Sequence, residues 1–197
     1  MGGRSVGSFG IGCFSLHPLK ILSALGDAGF LTVNDAEQAA ALRQMRNVGL
    51  RDRDHVARVS SNMRLDTLHA AMLLAKLPHV PKWIEARRAH AAAYRKALTG
   101  LVELPAEEGA DFHVFSAFVI RLAKRDALVA HLAARGIEAK VHYPIPIHRQ
   151  TAFADLPERA LPVTDEVVAT IVSLPVTAEL TAEQRAQVIE GVQSFVG

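Results

Sequence analysis

The sequence predicts an α/β layered protein, because short apolar runs bounded by Gly or Pro alternate with longer stretches of helical periodicity. Half of its 197 residues are apolar. The charged fraction of 21% is ordinary and no segment is low-complexity, which separates the chain from disordered sequences. A folded chain of this length removes about 70% of its unfolded surface from water, so a substantial core is available.

Gly10 to Leu16 is a short apolar run closed by Pro18, and it predicts a buried strand. Phe30 to Val33 predicts a second strand. Asn34-Asp35 then offers an N-cap for a helix over 36–46, with Gly49 near its stop. Apolar residues at Leu65, Leu68 and Met72, followed by Ala75 or Lys76, recur at helical spacing until Pro78 and Pro81 interrupt them. A long helix is predicted over 82–98, with Trp83, Ala86, His90, Tyr94 and Ala97 on one face. Its Arg87, Arg88, Arg95 and Lys96 are expected in solvent.

The second half reads differently. Strands are predicted over 112–122 and 138–142, with a helix over 125–135 between them that is stopped by Gly136. Pro144 and Pro146 fix an extended loop after the second of these strands. A helix over 164–171, a short strand or turn at 173–176 and a last helix capped by Thr181 complete the chain. These elements suggest a βαβ-like module with a boundary near Gly100, giving domains over 1–100 and 101–197. The first half holds only two convincing strands, which would leave sheet edges bare, so further strands are expected upstream.

Composition excludes several function classes. The net charge is +2, and the densest basic run, Arg43 to Arg58, is interleaved with Asp52 and Asp54, so no nucleic-acid footprint is present. The single cysteine, Cys13, rules out an internal disulfide framework and fits a reducing compartment. It is expected as a small buried residue rather than a nucleophile. No apolar stretch reaches the roughly 18 residues of a membrane span, and the N-terminus lacks the apolar region of a signal peptide. A cytoplasmic location is therefore expected.

The segment Phe14-Ser-Leu-His-Pro-Leu-Lys20, followed by Ala24-Leu-Gly-Asp-Ala-Gly29, carries the chemistry. A lysine between an apolar strand and a glycine-rich turn is either an ordinary turn lysine or an amine kept for condensation with an aldehyde. Burial would favour the second use, because it lowers the pKa and supplies the neutral amine. A metal site at His142 and His148 is not supported, since six residues spanning two prolines set no register for two ligands.

Taken with other motifs, this segment resembles the cofactor-lysine region of the DegT/DnrJ/EryC1/StrS sugar aminotransferases, fold type I pyridoxal-phosphate (PLP) enzymes. The other motifs are Arg46-Asn-Val-Gly49, Ser61-Asn-Met-Arg-Leu-Asp66, Arg87-Arg88 with Tyr94, Val141-His-Tyr-Pro-Ile-Pro-Ile-His148 and Ser173-Leu-Pro175. All fall in the family's order and spacing. The resemblance implies the C-terminal part of a PLP-dependent transferase large domain, followed by the small α/β C-terminal domain.

It also implies that Lys20 is the lysine that condenses with pyridoxal 5′-phosphate and later shuttles a proton. Ser15 matches the serine that hydrogen-bonds the cofactor phosphate; its alternative is a strand-end hydroxyl. Asn62 matches the residue that reaches across a homodimer interface to the partner's cofactor phosphate, and Arg64 would support the same anion. Their alternatives are a capping Asn and a surface Arg. His142, Tyr143 and His148 match the loop bordering the sugar-nucleotide site, with a purely structural role as the alternative.

The implied reaction moves an amino group from glutamate or glutamine to a keto sugar nucleotide. Lys20-Ile-Leu-Ser23 stands where the family usually has Lys-Asn-Leu-Gly, and Ser116-Ala117 replaces a polar or aromatic group. Gly26-Asp-Ala-Gly29 replaces the more frequent Gly-Asp-Gly-Gly and favours a 3-keto sugar. Family members carry a further stretch before this point, so a truncated chain, weakly active or inactive alone, is the expectation. The rival readings are a catalytically silent fragment or relative with a binding or assembly role, and a stand-alone α/β binding domain. Lys20 argues against both a loss of chemistry and a dehydratase, in which histidine replaces the lysine.

Overall fold

The computed structural model describes residues 3–107, 112–157 and 159–197. The chain forms two compact units, the first running to Lys82 and the second taking Trp83–Glu107 and His113–Gly197. Both mix helices and strands, as an α/β fold requires.

In the first unit, β1 (Gly12–Ser15) and β2 (Gly29–Thr32) pair antiparallel, with Gly12 opposite Thr32 and Ser15 opposite Gly29. Phe14 and Phe30 stack across this pair with ring centroids 4.6 Å apart. Alternation along β1 puts Cys13 on the other face, opposite Leu31, and both are exposed. The expected burial of Cys13 is therefore not observed: only one face of this ribbon is packed among the described residues.

Helix α1 (Ala36–Arg46) starts at Asp35, whose Oδ1 accepts the Gln38 N–H at 2.7 Å. The chain then doubles back, with isolated bridges pairing Asn47 with Asn62 and Leu50 with Val56. Gly49 is obligatory in this turn. Its φ is +76°, and a Cβ would lie 1.8 Å from the Arg58 carbonyl oxygen.

Helix α2 (Thr67–Lys76) begins later than the predicted Leu65, because Asp66 is still extended and occupies the N-cap. A 3₁₀ turn over Leu77–His79 absorbs Pro78 and leads into α3 (Val80–Leu98). Pro81 falls in the first turn of α3, where no intrahelical N–H is needed, so it starts the helix earlier than expected rather than interrupting it. Leu16, Ala24 and Leu73 are the buried cluster of the first unit, with Leu22, Ala28 and Leu65 packed around them.

The second unit takes most of α3. Ala91, Tyr94 and Leu98 of that helix belong to the second unit's core. Arg87 is buried as well, although its position predicts solvent. Its Nη1 donates to the carbonyls of Phe115 at 3.1 Å and Ser116 at 3.4 Å, which gives the guanidinium partners inside. Phe115 has φ +46°, so the backbone leaves the extended region there. The strand predicted over 112–122 is accordingly only β3 (Phe118–Arg121).

After β3 come α4 (Arg125–Ala133), α5 (Pro162–Thr170), β4 (Ile171–Leu174) and α6 (Ala182–Val196). Strands β3 and β4 pair antiparallel, Phe118 opposite Leu174 and Arg121 opposite Ile171. Residues 138–142 do not form the predicted strand. Lys140 alone exchanges backbone bonds with Ser173, at 3.2 and 2.7 Å, before the proline-rich loop turns away. Ile171, placed at a helix end by the sequence, opens β4 instead.

Fifteen buried residues, among them Phe118, Ile120, Leu128, Leu132, Val172 and Val192, form the second unit's core. Helices α4 and α6 meet at Gly191, where a Cβ would lie 2.7 Å from Leu132 Cδ2. Tyr94 donates its hydroxyl to the Pro175 carbonyl at 2.6 Å, and burial pushes its phenol pKa up. His90 Nδ1 lies 3.1 Å from Arg185 Nη1. Burial lowers the His90 pKa from its ordinary 6.5, and the cations of Arg185 and Arg87 push it the same way.

Candidate active site

The cofactor-lysine candidate sits on a loop that leaves β1 at Ser15 and returns at Ala24, whose N–H donates to the Leu16 carbonyl at 2.8 Å. Within it, Lys20 N–H donates to His17 O at 2.8 Å and Leu19 N–H to His17 Nδ1 at 3.2 Å. His17, whose role the sequence left open, thus organises the turn that carries Lys20. Lys20 itself is exposed, and its amine makes no hydrogen bond or ion pair with a described residue. The burial argued from sequence is not supplied by the described residues.

Ser15 is also exposed. Its Oγ accepts the His17 N–H at 3.3 Å, which leaves the hydroxyl proton free to donate.

Asn62 and Arg64 lie on the exposed return segment of the first unit. Arg64 donates to Asn62 Oδ1 through its backbone N–H at 3.2 Å and through Nε at 3.1 Å. Asn62 therefore orients Arg64, and it does not cap α2, whose N-cap is Asp66.

His142, Tyr143 and His148 belong to the second unit. His142 Nδ1 lies 2.9 Å from Ser173 Oγ, on the fully buried strand β4, while Tyr143 is 73% exposed. His148 lines a cavity of about 1190 Å³ with Tyr143, Ile147, Phe153, Leu161 and Asp165. Asp165 Oδ2 accepts from Arg149 Nη2 at 2.6 Å, and its Oδ1 lies 3.5 Å from His148 Nε2. That nitrogen is buried and makes no hydrogen bond with a described residue.

The sequence did not single out Ser173 or Asp165 as supports of these histidines. Both partnerships are long-range in sequence, so no local spacing could have signalled them. Among the described residues no group of three or more His, Cys, Asp or Glu side chains is placed to hold a metal, and no helix is long and apolar enough to cross a membrane.

The profile of the DegT/DnrJ/EryC1/StrS aminotransferase family matches residues 1–193. The chain belongs to that family. It is 40% identical over 188 residues to a UDP-N-acetyl-3-dehydro-alpha-D-glucosamine 3-aminotransferase from Acidithiobacillus ferrooxidans, covering 94% of this chain and 51% of that protein. It is 38% identical over 200 residues to a pleiotropic regulatory protein of Geobacillus stearothermophilus, covering 98% and 54%. Among solved structures it matches DesV of S. venezuelae with a TM-score of 0.94 and 36% identity, over 98% of this chain and 54% of that one. The chain thus spans about half the length of the relatives it matches.

Members of the DegT/DnrJ/EryC1/StrS aminotransferase family are PLP-dependent enzymes, and the first unit's donor set fits that cofactor. Lys20 would offer the aldehyde an amine with no competing partner among the described residues, and Ser15 would offer the phosphate a spare hydroxyl proton.

Proposed function

We propose that this chain serves the PLP-dependent transfer of an amino group from glutamate or glutamine to the keto group of a nucleotide-activated sugar. The free amine of Lys20, on a loop inside the family match, is the observation that carries this reading. Bound PLP supplies the electron-withdrawing ring that lets the donor's Cα–H bond break.

In this reading Lys20 Nζ would hold the cofactor by condensing with its aldehyde, with loss of water, and once displaced by the donor's amine it would carry the proton taken from the donor. Ser15 Oγ donates to the phosphate. Asn62 and Arg64, exposed and mutually oriented, serve the phosphate of a partner subunit in a homodimer. His142, Tyr143 and His148 border the sugar nucleotide, whose apolar surface the cavity of the second unit can receive. A keto group at C3 is favoured, because Gly26-Asp-Ala-Gly29 occurs here and the A. ferrooxidans relative is named for 3-amination of a 3-dehydro sugar. A regulatory or assembly role is the second reading, favoured by the name of the G. stearothermophilus relative.

The test is the visible absorption of the chain mixed with PLP, dialysed, and then given glutamate. The amino-transfer reading predicts a band that survives dialysis, needs Lys20 and changes on glutamate addition. A folded wild-type chain whose spectrum equals that of Lys20→Ala favours the regulatory reading.

A further inference from the structure

The Lys20 loop is held weakly by its own contacts. Inside it, only His17 accepts from the Lys20 and Leu19 N–H groups among the described residues, and its apolar anchorage is Leu16, Leu22 and Ala24 against Leu73 of α2. One turn beyond Leu73, Lys76 projects toward the same loop. Its Nζ donates to the Ser23 carbonyl at 2.6 Å and to Ser23 Oγ at 2.8 Å, in a half-buried position. Hydrogen bonds from an ammonium are about twice as strong as neutral ones, and partial burial limits competition by water. These two bonds cross 53 residues of sequence, and they tie α2 to the loop one residue before it closes at Ala24.

Both bonds end on one residue, and that residue is one of the two, with Ile21, at which this chain departs from the usual Lys-Asn-Leu-Gly pattern. Glycine at position 23 would offer only its carbonyl; Ser23 adds a second acceptor. The substitution and the lysine are thus matched within this chain.

We propose that Lys76 is a positioning residue for Lys20: by gripping Ser23 it fixes the loop over 17–24, and with it the place from which the Lys20 amine meets an aldehyde. The role in chemistry rests on the cofactor reading of Lys20 given above; the clamp does not.

The experiment measures amide hydrogen exchange at Lys20 and Ala24 in the unliganded chain, alongside borohydride trapping of PLP on Lys20. It compares wild type with Lys76→Met, Lys76→Arg and Ser23→Ala. Lys76→Met is expected to speed exchange at both amides about tenfold or more, while the Leu77 amide at the end of α2 stays unchanged. Trapping on Lys20 should fall several-fold. Lys76→Arg should restore most of both signals, and Ser23→Ala should fall between.

Unchanged exchange at Lys20 and Ala24 in folded Lys76→Met overturns the clamp, and if that variant does not fold, unchanged exchange in Ser23→Ala overturns it. Faster exchange with undiminished trapping overturns the positioning role. A wild-type chain that traps PLP on Lys20 no more than on its other lysines overturns the cofactor reading, and the exchange measurement still decides the clamp.

Discussion

Single residues in this chain do different work from what their type suggests. Arg87 and His90 lie one turn apart on α3, both buried, and Arg185 joins them from α6. Three potential cations therefore converge, and the arrangement is stable only with His90 neutral so that Nδ1 can accept from Arg185. Because the folded-state pKa is lowered, the unfolded chain binds the proton first as acid is added. The stability contributed by neutral His90 is complete above the ordinary value of 6.5 and is lost as pH falls through the folded value. Urea unfolding of wild type should therefore show a midpoint that drops on acidification below that point. In His90→Gln this part of the drop should be absent. An identical acid limb in the two proteins would show that His90 does not titrate on unfolding.

At the scale of elements, helix ends are where local chemistry is strongest. Thr181 accepts from Gln184 N–H at 3.2 Å while Gln184 Oε1 accepts from Thr181 N–H at 3.0 Å, closing a capping box at the start of α6. Thr181→Ala should cost about 1 kcal/mol in chemical denaturation with an unchanged denaturant slope. A loss near zero would mean that α6 is held by its packing on α4 alone.

This cap was legible in the sequence, as were α1 with Asp35 and the stop at Gly136, because each is written in residues adjacent along the chain. The strands were less legible. The predicted strand over 112–122 ends up short because Phe115 adopts φ +46°, a conformation held by Arg87 from another element. The predicted strand over 138–142 reduces to one bridge because its partner, Ser173, lies far along the chain. The candidate site followed the same rule. Lys20, Ser15, Asn62 and Arg64 fall in contiguous motifs, whereas Ser173, Asp165 and Lys76 act on residues at a distance no periodicity records.

For the molecule as a whole, the two units differ in how they are stabilised. Among the described residues the second has a core of fifteen buried residues, drawn from α3, both its strands, α4, α6 and the segments between them. The first has three among its described residues, and it exposes Ile11, Phe30, Leu31 and Leu68. Heating should therefore give the first unit the earlier transition, read as loss of amide protection in α1 and α2 before α4 and α6. Simultaneous loss would mean that the two units unfold together. The candidate cofactor residues sit in this lightly built unit, and the loop that bears Lys20 is its most consequential part. The most direct measurement is borohydride reduction of the chain with PLP, followed by mass mapping of the modified residue. A pyridoxyl group concentrated on Lys20, and missing at that position in Lys20→Ala, is the expected result. Labelling spread evenly over the lysines of the folded wild-type chain would contradict it.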